Sequence, residues 1–287
     1  MTISEADLVL TAEGRIYHLN LLPEELAPTV ILVGDPNRVE KVSKHFDKIE
    51  VRQHNREIIT HTGWLGKRHL SVISTGMGTD NIDIVLNEVD ALVNVDLKTR
   101  QVKEKLSTLT FIRIGTSGAL QAETEVDSVA LSARGVGFDN LLDYYRDSAA
   151  PVDRPVEAAF ADFFKQEGLH PYVASVDKDL LAHYAPYADT QGMTATYPGF
   201  YAPQGRRVRL APRFTHFLDR LRDFRYQDER VTNFEMETSG IYGLSQLMGH
   251  RALSVNVIVA NRAKGTFSNH YAQTMSKTIE MVLEHLP

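Results

Sequence analysis

The segment TVILVGDPNR at residues 29–38 shows the pattern on which the chain is built. Its first five residues are apolar or β-branched and of strand length, so they predict a buried strand over residues 29–33. Asp35 followed by Pro36 is typical of a helix N-cap and a first helical residue, which predicts a helix over residues 36–45. A buried strand that passes through a short turn into a helix is the repeating unit of α/β proteins.

The same alternation continues along the chain. Strands are predicted at residues 56–62 and 68–75, which form a hairpin around WLGK, and at residues 108–114, 126–132, 172–176 and 252–259. Helices are predicted from apolar spacing at residues 81–92, 236–248 and 270–286. A charged surface excursion at residues 93–105 and a polar connection at residues 144–155 do not have the character of domain boundaries. The pattern predicts one α/β domain over residues 1–287 with a mixed sheet.

Composition limits the class of protein. Of 287 residues, 43% are hydrophobic and 24% are charged, which is ordinary for a globular protein with a full core. The formal net charge of -6 argues against nucleic acid or an anionic membrane as the main partner. The absence of cysteine excludes disulfides, thiolate metal sites and cysteine nucleophiles. Acidic residues near the start, and apolar runs of only strand length, lead us to expect a cytoplasmic protein.

The motif VGDPNR at residues 33–38 contains the first candidate site. Gly34 permits close approach of the backbone to a ligand, and the helix start that follows offers free N–H groups to an anion. Arg38 adds a fixed positive charge beside them. A strand-to-helix turn with a surface arginine explains the same residues, and on this motif alone it is the simpler interpretation.

The motif IRIGTSG at residues 112–118 contains the second candidate site. Arg113 lies within an apolar strand, where a charge is costly unless an anion pairs with it. Gly115, Thr116 and Gly118 are expected to follow as a loop whose N–H groups and hydroxyl bind phosphate oxygens. A structural arginine paired with a carboxylate is an equally open alternative. The motif lacks the lysine of a P-loop and the closing glycine of a lipase elbow.

Two further motifs combine polar groups that suit a sugar and a base. NFEME at residues 233–237 is expected to run from a strand into a helix, where a carboxylate serves either as a cap or as an acceptor for sugar hydroxyls. FYAPQGR at residues 200–206 holds Gln204 and Arg206 two residues apart. On an extended segment both side chains point the same way and would read the O2–N3–O4 edge of a pyrimidine, although a surface loop is the alternative.

Two kinds of cofactor site are disfavoured by the sequence. STGMG at residues 74–78 lacks the third glycine of a dinucleotide-binding loop, so NAD binding is not expected. The 11 histidines show no metal-binding spacing such as HExxH, and no metal site is predicted from them.

Taken together and in this order, the five motifs resemble those of the nucleoside phosphorylase-I family, from about His18 to the last helix. The FYxxQxR loop resembles that of the uridine phosphorylase branch. The resemblance implies a single α/β domain with a central mixed, partly barrel-like β-sheet flanked by helices. It also implies phosphorolysis of uridine, with deoxyuridine and thymidine as further candidates, to free uracil and ribose 1-phosphate. Inorganic phosphate would be a co-substrate, and no cofactor would be needed.

The resemblance assigns roles to individual residues. The expected phosphate-binding residues are Gly34, Arg38, Arg56, Arg113 and Thr116. The expected ribose-binding residues are His18, which would bind the 5′-hydroxyl, and Thr116, Met236 and Glu237. The expected base-binding residues are Gly118, Phe200, Gln204, Arg206 and Arg262. The expected catalytic residues are Arg113, Arg206 and Glu237. Arg56 and His18 would serve a neighbouring subunit, which implies a homo-oligomer with a dimer as the minimal unit, compatible with a hexamer.

The sequence departs from the family pattern at several positions. Glu57 matches one ligand of a monovalent-cation site in hexameric relatives, but Asn81 replaces the usual serine, which puts a potassium site in doubt. Ala260 is an apparent one-residue insertion before the Asn-Arg pair that follows it. Residues 93–105 form a longer segment than in the hexameric relatives, which bears on how dimers assemble.

Three other functions remain open. A purine nucleoside phosphorylase of this family uses an aspartate to protonate N7, and the matching residue here is Asn261, which has no such proton. A hydrolytic nucleosidase needs no phosphate site, yet Arg38, Arg56 and Arg113 are all present. A non-catalytic nucleoside-binding protein would be expected to lack some of these arginines or Glu237.

Overall fold

The computed structural model describes residues 2–145 and 153–287, which form two compact units. The first unit consists of the chain up to Ile112 together with Met248–Arg251, and the second consists of Arg113–Leu247 and Ala252–Pro287. The polar connection predicted at residues 144–155 lies largely outside the described residues. The assignment of residues 1–287 to a single domain stays a prediction. Within the described ranges, none of the helices is both long enough and apolar enough to span a membrane.

Among the described residues, a mixed four-stranded sheet forms the centre of the first unit. Its strands are β1 Thr29–Val33, β2 Lys48–Asn55, β3 Ile58–Leu65 and β4 Arg68–Ser74. β1 is parallel to β4, and β4, β3 and β2 then follow as antiparallel neighbours. The predicted strand and hairpin are confirmed. β2 has only two aliphatic residues, so the apolar pattern does not predict it.

Two helices of the first unit follow strands, as the sequence predicts. They are α1 Pro36–Ser43 and α2 Thr79–Asn94. Asp35 caps α1, because its Oδ1 accepts the backbone N–H of Asn37 at 2.9 Å. The apolar face of α1 packs on β3 and β4 through Val39 and Val42, which are buried. The local sequence therefore fixes where this helix starts and which face it buries.

Residues 93–105, expected as a charged surface excursion, include two short strands that the sequence did not indicate. A short hairpin follows α2, made of β5 Val95–Asp96 and β6 Gln101–Val102. Oδ1 of Asp96 accepts the backbone N–H groups of Lys98 and Thr99 at 2.9 and 3.1 Å. An aspartate that bonds the backbone two and three residues onward favours a turn, and this turn reverses the chain.

The second unit is built on the remaining strands and helices. Its strands are β7 Thr110–Ala119, β8 Val129–Gly137, β9 Tyr172–Ser175, β10 Thr190–Thr196, β11 Arg225–Tyr226, β12 Glu229–Glu235, β13 Arg251–Asn261 and β14 Thr266–Phe267. Its helices are α3 Arg154–Phe163, α4 Lys178–Tyr184, α5 Phe217–Asp223, α6 Thr238–Met248 and α7 Tyr271–Glu284. The strands and helices predicted in this region are confirmed, with shifted ends. β10 and the helices α3, α4 and α5 are additions.

Five of these strands close into a barrel. β12 pairs with β10, β10 with β8, β8 with β13, β13 with β7, and β7 again with β12. β10 is parallel to β8 and β12, whereas β8 is antiparallel to β13 and β12 is antiparallel to β7. The barrel closes where Asn233 lies opposite Ala119 and Phe234 lies opposite Gly118. The predicted α/β fold with a central mixed, partly barrel-like sheet flanked by helices is confirmed.

One prediction about β7 is wrong. Residues 115–118, expected as a phosphate-binding loop after the strand, are part of β7 itself. A β-carbon at Gly115 would lie 1.9 Å from Nη1 of Arg113, and one at Gly118 would lie 3.1 Å from the ring of Phe234. These glycines leave room for neighbouring side chains within a strand, and they do not mark a turn.

Aromatic side chains form much of the core that α3 and α5 cover. Phe160 of α3 stacks on Phe224, with ring centroids 3.7 Å apart, and both side chains are fully buried. Phe138 stacks on Tyr197 at 5.0 Å and meets Phe217 edge-on at 5.5 Å. Rings packed in stacked and edge-to-face pairs bury a large apolar area and add a geometric preference of their own.

Replacing Phe160 with alanine is expected to lower the free energy of unfolding by about 3–5 kcal/mol, because it opens a cavity in this cluster. Urea unfolding followed by circular dichroism measures the loss. Phe267→Ala is the matched control, since Phe267 is 65% exposed. Equal, small effects of the two substitutions would contradict the description of this core.

Candidate functional site

Arg113 stands inside the barrel of the second unit with only 5% of its surface exposed. Its Nη2 lies 2.5 Å from Oε2 of Glu237 and 3.1 Å from Oε2 of Glu235. Its Nη1 donates to Oδ1 of Asn256 at 2.7 Å. The sequence left open whether this arginine meets a carboxylate or a ligand, and the carboxylate partners are present. The expected contact with phosphate stays a prediction.

The two carboxylates determine the charge state of Arg113. Burial acts to lower the pKa of its guanidinium, but Glu235 and Glu237 outweigh burial and raise that pKa above the ordinary value. Arg113 is therefore a permanent cation in a dry environment. One guanidinium faces two carboxylates, and charges held this way without water interact far more strongly than at the surface.

Of the two roles that the sequence allowed for the NFEME motif, the structure shows the helix cap, and the role of sugar acceptor stays a prediction. Glu235 caps α6, because its carboxylate accepts the backbone N–H groups of Glu237 and Thr238, both at 3.0 Å. It also accepts the hydroxyl of Thr196 at 2.7 Å. Glu237 is left to pair with Arg113. The capping residue was not among the expected site residues, although an acidic side chain directly before a helix indicates such a role.

The other expected residues of this strand and helix start lie close by in sequence. Thr116 lies on β7 three residues after Arg113 and is half-buried. Met236 lies between the two glutamates and is also half-buried. Gly118 supports the ring of Phe234, the residue opposite it in the barrel. Their binding roles stay predictions.

Two arginines converge on aromatic rings near the expected base-binding loop. The guanidinium carbon of Arg206 lies 3.6 Å from the ring centroid of Phe200 and 5.8 Å from that of Phe234. The guanidinium carbon of Arg262 lies 5.8 Å from the ring centroid of Phe234. Arg206 also donates to the carbonyl of Phe200 at 2.7 Å and to the side-chain oxygen of Gln204. Arg262 donates to the carbonyl of Gln204 at 3.3 Å. The structure therefore brings the predicted base-binding side chains together.

Phe234 was not predicted from the sequence as part of this group. It is 1% exposed, and both guanidiniums lie over its ring. Cations over an aromatic face are attracted by the ring quadrupole. The residue precedes Glu235 in the NFEME motif, so the motif was the available indication that it belongs to the site.

The path of the base-binding loop differs from the prediction. Gln204 and Arg206 were expected on an extended segment, but Ala202–Gln204 form a 3-10 turn and Gly205 has a φ of 65°. This positive φ suits glycine and bends the chain between the two side chains. The hydrogen bond from Arg206 to Gln204 nevertheless joins their polar ends.

The pKa values of Arg206 and Arg262 are shifted in the opposite direction to that of Arg113. Burial and the charge of Arg262 lower the pKa of Arg206 to about 10. Burial likewise lowers the pKa of Arg262. Within residues 2–145 and 153–287, no carboxylate stabilises either cation. Two half-buried cations without a carboxylate partner among the described residues form a place where added negative charge is favoured.

Asn261 at the end of β13 holds a turn. Its Nδ2 donates to the carbonyls of Gln121 and Thr124 at 2.9 and 2.7 Å. Its Oδ1 accepts the backbone N–H groups of Ala263 and Lys264, both at 2.9 Å. The side chain is 1% exposed and is fully engaged with the backbone. The amide therefore has no acidic proton to offer and no hydrogen-bonding capacity to spare.

Three of the expected phosphate-binding residues belong to the first unit. Two of them lie after β1, and the third lies in the turn of the β2–β3 hairpin. Gly34 follows β1 directly, and a β-carbon there would lie 3.3 Å from the carbonyl oxygen of Gly76. Arg38 is half-buried on α1. Arg56 is exposed at the turn between β2 and β3, with a φ of 54°. These positions agree with strand ends and turns as sites for ligand contact, and the roles stay predictions.

The residues matched to a cation site lie near one another in the first unit. A β-carbon at Gly76 would lie 2.4 Å from Nδ2 of Asn81 and 3.3 Å from Cγ of Glu57. In the part of the chain that the structure describes, no group of three or more histidine, aspartate and glutamate residues is arranged to hold a metal ion. A potassium site at Glu57 stays untested.

His18 is held by a residue that the sequence did not indicate. Nδ1 of its ring lies 2.5 Å from Oε1 of Glu88, which lies on α2. The two residues are far apart in sequence, so only the fold brings them together.

The chain is similar to a known protein family and to individual proteins of that family. A family model described as the phosphorylase superfamily matches residues 28–286. The chain is similar to a uridine phosphorylase of Thermococcus kodakarensis, with 31% identity over 90% of this chain and 81% of that protein. It is similar to a purine nucleoside phosphorylase of Listeria welshimeri, with 28% identity over 83% of this chain and 84% of that protein.

A solved structure is similar over almost the whole chain. It is that of a Trypanosoma brucei nucleoside phosphorylase described as showing uridine phosphorylase activity. The TM-score is 0.87 and the identity is 29%, and the match covers 98% of this chain and 99% of that one.

Removal of the Arg113 side chain is expected to destabilise the protein, because it leaves two buried carboxylates without their cation. The loss of one partner from a buried ion pair costs about 3–5 kcal/mol. Urea unfolding of Arg113→Ala measures this effect, and Arg207→Ala is the control because its side chain is exposed. An Arg113→Ala protein as stable as the parent would show that the ion pair does not support the barrel.

Proposed function

Since the chain belongs to the phosphorylase superfamily, we propose that it cleaves uridine with inorganic phosphate to give free uracil and ribose 1-phosphate. A phosphate oxygen forms a bond to C1′ of the ribose while the bond from C1′ to N1 of uracil breaks. The electron pair of that bond leaves with uracil, which then takes a proton from solvent. The relatives named as uridine phosphorylases support this choice of substrate.

The pair formed by Arg206 and Arg262 is the observation that carries the proposal. As the glycosidic bond breaks, negative charge spreads over O2 and O4 of the uracil. With a pKa of about 10, Arg206 is charged at neutral pH. Both guanidiniums lie over the ring of Phe234 without a carboxylate from the described residues to neutralise them. Cations already in position stabilise the leaving base without reorganisation during the reaction.

Phosphate binding is proposed for Gly34, Arg38, Arg56, Arg113 and Thr116. The ion pair of Arg113 is compatible with this role, because a guanidinium has five N–H groups. The contacts to Glu237, Glu235, Asn256 and Ser254 engage at most four of them. Ribose binding is proposed for His18, Thr116, Met236 and Glu237, where the Glu237 carboxylate accepts the sugar hydroxyls.

The surroundings of Asn261 favour a pyrimidine over a purine. A purine leaving group needs a proton at N7, and the Asn261 amide is bonded on all sides to the backbone. Deoxyuridine and thymidine are further candidate substrates, because the contacts proposed for uracil do not involve the 2′-hydroxyl. We also propose a cytoplasmic homo-oligomer in which His18 and Arg56 complete a neighbour's site.

Purified protein is expected to cleave uridine only when phosphate is present and to leave inosine essentially intact. A site built to hydrogen-bond one base edge rejects another base by about 10⁴-fold in favourable cases. Release of free base from uridine, thymidine and inosine, each with and without phosphate, measures this by chromatography. Faster cleavage of inosine would favour a purine nucleoside phosphorylase, and cleavage without phosphate would favour a nucleosidase. No cleavage of any nucleoside would favour a binding protein.

Replacing Arg206 with alanine is expected to lower kcat for uridine about 100-fold, because its contact strengthens as charge develops on the base. Steady-state kinetics of Arg206→Ala and of the matched variant Arg207→Ala test this, since Arg207 is the exposed neighbour in the same loop. If Arg206→Ala changes KM alone, Arg206 binds uracil without stabilising its departure.

A further inference from the structure

The carboxylate of Glu88 holds both the backbone and the ring of His18. Its Oε2 accepts the backbone N–H of His18 at 3.0 Å and that of Leu19 at 2.9 Å. Its Oε1 lies 2.5 Å from Nδ1 of the His18 ring. The Glu88 side chain is 13% exposed, whereas that of His18 is 30% exposed. A mostly buried carboxylate thus anchors a histidine that remains accessible.

This arrangement determines which ring nitrogen of His18 is available. An ionised carboxylate can only accept hydrogen bonds, so Nδ1 carries the proton and donates it to Glu88. In the neutral ring the other nitrogen, Nε2, is then an acceptor. The hydrogen bond made by one ring nitrogen fixes the role of the other.

Asn55 ties the same segment to a second expected site residue. Its Nδ2 donates to the backbone carbonyls of Tyr17 and His18 at 3.0 and 3.1 Å. Asn55 is the last residue of β2 and directly precedes Arg56. The Asn55 side chain therefore links the backbone at His18 to the chain segment that carries Arg56. Glu88 links His18 to α2.

We propose that Glu88 is a positioning residue. It holds the ring of His18 so that Nε2 can accept a hydrogen bond from the 5′-hydroxyl of the nucleoside. This inference rests on the proposed function. Oε2 of Glu88 accepts the backbone N–H groups of His18 and Leu19, and Oε1 accepts the backbone N–H of His18 and also meets the ring at the shorter distance. Support of the backbone alone would not need the contact with the ring. Glu88 touches no substrate in this arrangement, and it acts through the histidine.

The test compares uridine with 5′-deoxyuridine, which lacks the hydroxyl that His18 would bind. Glu88→Gln places an amide beside the ring, which disturbs the tautomer. It is expected to lower kcat/KM for uridine about tenfold, the size of effect seen when a residue that orients a binding side chain is replaced. It is expected to change kcat/KM for 5′-deoxyuridine less than about twofold. His18→Ala is likewise expected to lose the preference for uridine over 5′-deoxyuridine. Adding Glu88→Gln to His18→Ala should then change nothing further.

Two controls separate positioning from folding. Glu104→Gln is the same chemical change at an exposed residue of the first unit and should leave both substrates unaffected. Glu88→Asp keeps the charge and should retain part of the discrimination between the two substrates. Equal losses for both substrates in Glu88→Gln would overturn the proposal, because they indicate a purely structural role. No loss for either substrate would overturn it as well.

A measurement on the ring itself keeps this test independent of the reaction. Nitrogen-15 NMR of the histidine ring nitrogens in the unliganded protein reports which nitrogen of His18 carries the proton, with His18→Ala to assign the signal. We expect the Nδ1–H tautomer in the parent protein and a mixture in Glu88→Gln. A mixture in the parent protein would overturn the positioning role of Glu88. Failure of the parent protein to cleave uridine would instead overturn the proposed function.

Discussion

The ion pair of Arg113 with Glu235 and Glu237 is the constraint around which the second unit is organised. A buried guanidinium must be paired, and here both partners come from the junction between β12 and α6, where Glu235 ends the strand and Glu237 directly precedes the helix. Glu235 also caps that helix, and a β-carbon at Gly115 would displace the guanidinium that lies against it. The end of β12, the start of α6 and Gly115 therefore all lie around the guanidinium of Arg113.

The two groups of arginines in the second unit show how the environment of a half-buried or buried guanidinium shifts its pKa in opposite directions. Arg113 has its charge neutralised, and the pairing raises its pKa. Arg206 and Arg262 share an aromatic surface and repel each other, and their pKa values are lowered. The charge of the first group is balanced within the fold, whereas the second lacks a carboxylate partner among the described residues, an arrangement that favours added negative charge. Sequence motifs name all three residues but do not distinguish these states.

The sequence predicted what depends on local chemistry and missed what depends on the fold. Asp35 and Pro36 located α1, and the apolar runs located most of the barrel strands. The family resemblance is confirmed by the match over residues 28–286. The glycines of β7 were misinterpreted, because glycine serves a tight turn and close packing equally well. Phe234 and Glu88 were missed, because their importance comes from partners that are distant in sequence.

The turn at Asn261 bears on how this scaffold can change during evolution. An aspartate there would keep the oxygen that accepts from Ala263 and Lys264 but would lose the amide that donates to Gln121 and Thr124. Its second oxygen would face two carbonyl oxygens in a buried place, which is repulsive. An ionised aspartate at position 261 would therefore favour a different path of the backbone at residues 121–124. The side chain at position 261 and the main chain at residues 121–124 are thus structurally linked.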